Sequence, residues 1–146
     1  MKVYLDNCCY NRPYDDQSQL RISLETQAKL YVQEMVKNSE LELTTSYVLQ
    51  YENSENPYEI RKRAISEFVR NYSNEHIDYD RAEEVSKMAK DIMKTGVNTK
   101  DAHHVACAIL ASCDYFLTTD KRLLKYVTDE IKIMNPIDFI EELEER

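Results

Sequence analysis

Four acidic residues, Asp6, Glu52, Asp101 and Asp120, fall where a parallel α/β chain does its chemistry. Asp6 ends the apolar run Lys2 to Leu5, and Asp120 ends Tyr115-Phe116-Leu117-Thr118-Thr119, whose aromatic and β-branched residues read as a buried strand. Asp101 starts a helical pattern in which Ala102, Val105, Ala106, Ile109 and Leu110 mark one buried face. Glu52 lies just after a strand expected over 41–46, on the first turns of the following helix. In a helix-then-strand unit of a parallel sheet, the helix N-terminus and the strand C-terminus share one sheet edge. Asp101 and Asp120 therefore converge, and that edge is where open α/β sheets bind ligands. Carboxylates gathered there repel one another unless positive charge lies between them. Mg²⁺ and Mn²⁺ prefer oxygen ligands, and two such ions about 3.5 to 4 Å apart position a water and steady a leaving oxygen in phosphodiester hydrolysis.

Each acid also has a purely structural role open to it. Asp101 can complement a helix N-terminus capped by Asn98, and Asp120 can cap the helix expected from Lys121. Asp6 can stabilise a turn, and Glu52 can be a surface helical acid. Their joint position points to chemistry.

The elements that must hold these acids alternate between strand and helix. After the first strand, the polar stretch Asn7 to Gln19 reads as a loop over the sheet edge. A long helix follows over 18–37, with Leu20, Leu24, Ala28, Tyr31 and Met35 as its expected inner face. The helical pattern resumes near Tyr47, breaks at Pro57 and continues to Tyr72, with Ile60, Ala64, Ile65, Phe68, Val69 and Tyr72 inward. Asn74 to Tyr79 is a short extended link, and a helix over 81–95 ends at Gly96, the one glycine in the chain. A last strand over 131–134 leads to a helix opened by Asn135-Pro136. No repeat or low-complexity linker interrupts the series, so residues 1–146 form one domain, a three-layer α/β/α sandwich with a mainly parallel central sheet.

The formal charge of -8 excludes nucleic-acid binding by general electrostatics, so any phosphate is gripped through bound cations or a local basic patch. Arg61, Lys62 and Arg63 cluster on one helix and read first as a solvated face, with nucleic-acid contact the lesser option. Cys8, Cys9, Cys107 and Cys113 fit no zinc spacing and read as reduced, buried thiols. His103 and His104 point in different directions on a helix and are assigned to packing or solvent. The sequence offers neither a membrane span nor a secretory signal, which places the protein in the cytoplasm with no membrane partner.

The run LDN at 5–7, Glu52 after the second strand, DAHHVACA at 101–108 and LTTD at 117–120 resemble the PIN-domain ribonuclease family over essentially the whole chain. The resemblance implies a compact α/β sandwich in which Asp6, Glu52, Asp101 and Asp120 are both catalytic residues and ligands of Mg²⁺ or Mn²⁺. It implies hydrolysis of RNA to a 5′-phosphate and a 3′-hydroxyl. It also brings in the VapC-type toxins, many of them small family members, and hence a small basic antitoxin that covers the site. Thr118 matches the hydroxyl of the family's T-x-D motif. Where many members have Thr or Ser shortly after the first acid, this chain has Asn7, Cys8 and Cys9, and Asn7 is the candidate to hold a metal-bound water. Arg12, Lys100, Lys121 and Arg122 are the candidate phosphate contacts.

Two rival readings are a catalytically silent PIN-like module that binds RNA or protein, and a phosphoacceptor receiver domain. The intact acids weigh against the first, and the chain offers no clean match to the second, which predicts an Asp at the end of a central strand with a Lys on a late strand. A homodimer is a further expectation, resting on Tyr31, Val32, Tyr47, Tyr51, Tyr58 and Tyr72 as amphipathic surface.

Overall fold

A computed structural model describes all 146 residues. Five parallel strands form the central sheet in the order β3-β2-β1-β4-β5. They are β1 (Lys2–Leu5), β2 (Glu42–Ser46), β3 (Glu75–Ile77), β4 (Tyr115–Leu117) and β5 (Lys132–Met134). Seven α-helices connect and cover them: α1 (Asn7–Asn11), α2 (Leu20–Lys37), α3 (Tyr47–Ser54), α4 (Glu59–Tyr72), α5 (Ala82–Met93), α6 (Thr99–Leu110) and α7 (Pro136–Glu144). No helix is long and apolar enough to cross a membrane.

The sheet separates two apolar cores, because successive strand residues point to opposite faces. Tyr4 and Phe116 face Val85, Ala89 and Ile92 of α5 and Ala102, Val105 and Ala106 of α6. Val3, Leu5, Leu43, Tyr115 and Leu117 face Val32 and Val36 of α2, Ile65 and Phe68 of α4, and Phe139 of α7. In register, Leu5 of β1 stands beside Leu117 of β4. The residues that follow these two strands therefore emerge together at the carboxyl edge.

Helix starts match side-chain chemistry: Ser46, Asn98 and Asn135 cap α3, α6 and α7 by accepting from Leu49, Asp101 and Ile137 amides. Gly96 ends the α5 segment at φ +103, the left-handed conformation a glycine accepts without strain.

Several elements differ from the sequence expectation. The supposed loop after Asp6 folds at once into α1 and a 3₁₀ turn, Arg12–Tyr14, because Asp6 caps α1 through the Asn7 amide. The link after Asn74 contributes β3, a three-residue edge strand. After Asp120 there is only a 3₁₀ turn, Leu123–Lys125, in place of a helix.

Helix α2 is turned by about one residue, burying Glu25, Thr26, Lys29, Val32 and Val36. Leu20 is 73% and Tyr31 56% exposed. The rotation is possible because Glu25 is matched inside the protein: Asn135 Nδ2 donates at 2.6 Å and Arg21 Nε at 3.2 Å. Arg12 Nε also approaches Glu25 at 3.0 Å, as an ion contact without hydrogen-bond alignment. On α4, Ile65 and Phe68 are buried as expected while Ile60, Ala64 and Tyr72 face outward.

Candidate active site

Asp6 leaves β1 and is almost fully buried. Its Oδ1 accepts from the Asn7 amide at 2.8 Å, and its Oδ2 accepts from the Thr118 hydroxyl at 2.8 Å. Thr118 Oγ1 in turn accepts from the Asp120 amide at 3.1 Å. One hydroxyl at the end of β4 thus fixes both strand-end acids. Asp120 Oδ1 accepts from the Arg122 amide at 2.8 Å, so this acid also holds the turn that follows it.

Asp101 stands in the first turn of α6, where Asn98 Nδ2 donates to its Oδ2 at 2.9 Å. Partial burial, together with the charges of Asp6 and Asp120, pushes its pKa up from 3.8 to about 6. Burial is the larger cause, and the smaller contributions of Asp6 and Asp120 mean that both charges are near enough to act on Asp101.

Glu52 reaches the cluster from α3. Burial alone would raise its pKa. The hydrogen bond and charge of His104, Lys100 at 3.6 Å and the Asn7 side chain outweigh that and hold it below its ordinary value. His104 is the residue that sequence reasoning missed. It is completely buried, with Nε2 2.7 Å from Glu52 Oε1 and Nδ1 2.7 Å from the Tyr4 hydroxyl, which lies 2.6 Å from Ser46 Oγ. A carboxylate only accepts, so Nε2 donates to Glu52 whether the ring is neutral or protonated. The Tyr4 phenol is raised well above its ordinary value, chiefly by burial, and stays a donor. A usable signal was present in the chain: His104 lies three residues after Asp101, on the same helical face. His103, by contrast, bonds the Thr99 carbonyl of its own helix.

Cys8 occupies the place of the expected hydroxyl residue. Its sulfur lies 3.3 Å from Thr118 Oγ1 and 3.4 Å from Asp6 Oδ2, and it accepts from the Thr119 amide at 3.3 Å. The other three cysteines are buried, and all four are free thiols. Asn7 Oδ1 accepts from Asn11 at 3.2 Å, beside Glu52.

Of the candidate phosphate contacts, Lys100 is at the cluster, and Lys121 and Arg122 are exposed beside Asp120. Arg12 is engaged elsewhere, by Asp15 at 2.9 Å and by Glu25, and brings no free cation to the acids.

The donor set suits a hard cation. Ligand atoms of Asp6, Glu52 and His104 lie within 4.8 Å of one another, and the raised Asp101 adds a further oxygen that lacks a cationic partner. Both ring nitrogens of His104 are already engaged, so its fitted role is to orient Glu52. The largest cavity, about 670 Å³, lies elsewhere, lined by Met1, Asp114, Glu130 and Arg146, and holds none of the four acids.

The fold recurs in solved structures. The structure of VapBC2 from Rickettsia felis bound to a DNA fragment from their promoter matches 92% of this chain and 98% of its own, at 14% identity and a TM-score of 0.56. FitAcB from Neisseria gonorrhoeae matches 92% of this chain and 97% of its own, at 14% identity and a TM-score of 0.57. No curated protein sequence matches significantly. The family model of the PIN domain matches residues 3–128, and with that span covering strands β1 to β4 and all four acids, the chain belongs to the PIN domain family.

Proposed function

We propose that this protein is a divalent-cation-dependent endoribonuclease that acts as the toxin of a toxin-antitoxin pair. The observation that carries the reading is the convergence of side chains at one sheet edge: ligand atoms of Asp6, Glu52 and His104 lie within 4.8 Å of one another, and Asp101, close enough to feel the charge of Asp6, makes no ion pair of its own. Asp6, Glu52, Asp101 and Asp120 would hold Mg²⁺ or Mn²⁺, which when bound supplies positive charge for the phosphate and lowers the pKa of the attacking water. The chain's own contribution is positional. Thr118 fixes Asp6 and the Asp120 backbone, Asn98 steadies Asp101, and His104 keeps Glu52 ionised and aimed. Lys121 and Arg122 stand at the rim where phosphates arrive.

An acidic cleft of this kind is blocked by an inserted Arg or Lys side chain, which supports a basic antitoxin as partner. Of the residues expected on a dimer surface, Val32 is buried in the core while Tyr31 stays exposed, and the stripe Tyr31 makes on α2 with Leu20 and Leu24 supports a homodimer. The same reading places the enzyme in the cytoplasm.

The test is cleavage of single-stranded RNA by the purified chain in Mg²⁺ or Mn²⁺. Turnover should stop in EDTA and in Asp120→Asn, with the fold retained. Cleavage that persists in chelator refutes the metal mechanism, and RNA binding without cleavage under any divalent ion returns the silent-module reading.

A further inference from the structure

Two grooves flank the acids. One, about 410 Å³, runs past Asp101 and is lined by Asn98, Arg122, Lys125 and Tyr126. The other, about 360 Å³, leaves the cluster on the Glu52 side. Its walls include Asn11, Tyr51, Asn56, Tyr58, Arg61 and Lys100.

The second groove combines two features that neither the core nor the acid cluster uses. Tyr51 is 68% and Tyr58 59% exposed, on opposite sides of the break between α3 and α4. The Arg61 guanidinium lies 4.0 Å from the centre of the Tyr58 ring and 5.0 Å from that of Tyr14, and it makes no ion pair. Stacked in this way, a guanidinium keeps its in-plane donors free for a phosphate. Lys100 Nζ lies where the groove meets Glu52. The walls are pinned: Asn56 Nδ2 donates to Asn11 Oδ1 at 3.1 Å, and the Tyr58 amide donates to Asn56 Oδ1 at 3.1 Å. A pre-formed wall of open aromatic faces interleaved with cations suits a single nucleic-acid strand, whose bases stack while its phosphates track the charges. Glu52 and Glu55 also line the groove and cancel the two cations, so stacking supplies most of the affinity.

We infer that this groove is the exit path for the RNA strand on one side of the scissile phosphate, with Tyr51 and Tyr58 as base-stacking platforms and Arg61 and Lys100 as phosphate contacts. The inference rests on the ribonuclease reading above.

The experiment measures fluorescence anisotropy of a short, unstructured, labelled RNA on the full-length Asp120→Asn protein in Mg²⁺, alongside cleavage kinetics in the otherwise unaltered chain. Tyr51→Ala and Tyr58→Ala should each weaken binding about 5-fold or more, as expected for loss of one stacked base. Each should raise KM on long substrates while leaving kcat in place. Tyr58→Phe keeps the ring and should restore binding. The salt dependence separates the roles: two phosphate contacts give a log–log slope contribution of about −1.4, Arg61→Ala should remove about half of it, and Tyr51→Ala, whose ring does not carry Arg61, should leave it alone.

Because all three side chains are largely outside the core, circular dichroism should show native folding throughout. Unchanged binding and KM in both tyrosine variants, with metal-dependent cleavage intact, overturn the groove and spare the ribonuclease. Absence of metal-dependent cleavage in the unaltered chain overturns the ribonuclease itself.

Discussion

Replacing Asp101 by Asn should make the metal-free protein more stable at neutral pH, although the residue belongs to the proposed catalytic set. Its carboxyl is raised from 3.8 to about 6 by partial burial, Asp6 and Asp120. At 1.36 kcal/mol per pKa unit, ionising it inside the fold costs at most ~3 kcal/mol. Solvent reaches about half of the group, so screening leaves ~1 to 2 kcal/mol. The variant also loses the favourable placement of an anion in the first turn of α6, about 0.5 kcal/mol, for a net gain of ~1 kcal/mol and about 2 to 4 °C in Tm. A carboxyl with a raised folded pKa binds its proton more tightly in the native state than in the unfolded one. Its ionisation therefore erodes stability as pH rises from about 4 to about 6, and the full penalty applies above that window. Melting curves in EDTA should coincide for the two proteins below pH ~4 and separate across the window. Adding Mn²⁺ should reverse the order, since the parent chain gains more from the cation. A variant less stable than its parent in EDTA at neutral pH, or a difference that ignores pH, would show that Asp101 is mainly a helix-end anion and that the acids do not share a space.

His104→Asn should weaken Mn²⁺ binding about 10- to 100-fold by isothermal titration, since it withdraws the donor that orients Glu52, and an unchanged affinity would remove His104 from the site's support. Gly96→Ala should cost ~1 kcal/mol, read as a lower Tm with unchanged turnover. The new Cβ meets no atom within 4 Å, so the cost is left-handed strain alone, and an unaltered Tm would contradict the conformation. Light scattering should give twice the 17.3 kDa chain mass, and Leu24→Glu on the exposed stripe of α2 should return it to one; a parent protein already at one chain mass refutes the dimer.

How far the sequence could be read depended on whether a feature was local. Asp6 and Asp120 end strands whose apolar character is local, and parallel connectivity alone then delivers Asp101 to the same edge. The face of α2 was not legible, because Leu20, Leu24, Ala28, Tyr31 and Met35 form an apolar stripe as good as the one that packs. What buries Glu25 instead is Asn135, 110 residues away. Strand β3 carries a single buried residue, Ile77, and a three-residue edge strand leaves almost no period to detect. Asp120 does accept from the Arg122 and Leu123 amides as a helix cap would, but the turn it opens stops at Lys125, where Tyr126 takes an extended backbone at φ −77 and ψ 123.

His104 was hidden for the same reason as the face of α2. Its partners, Tyr4 and Glu52, lie 100 and 52 residues away, and only the three-dimensional meeting of β1, α3 and α6 makes a hydrogen-bonded chain of them. That chain runs from the Ser46 cap of α3 through Tyr4 and His104 to Glu52, so two bonded, buried hydroxyls link the helix that carries the acid to the imidazole that aims it. The orientation of Glu52 is thus tied to the packing of β1 against α6. A change in the core at Tyr4 should reach the cation site without touching any of its proposed ligands.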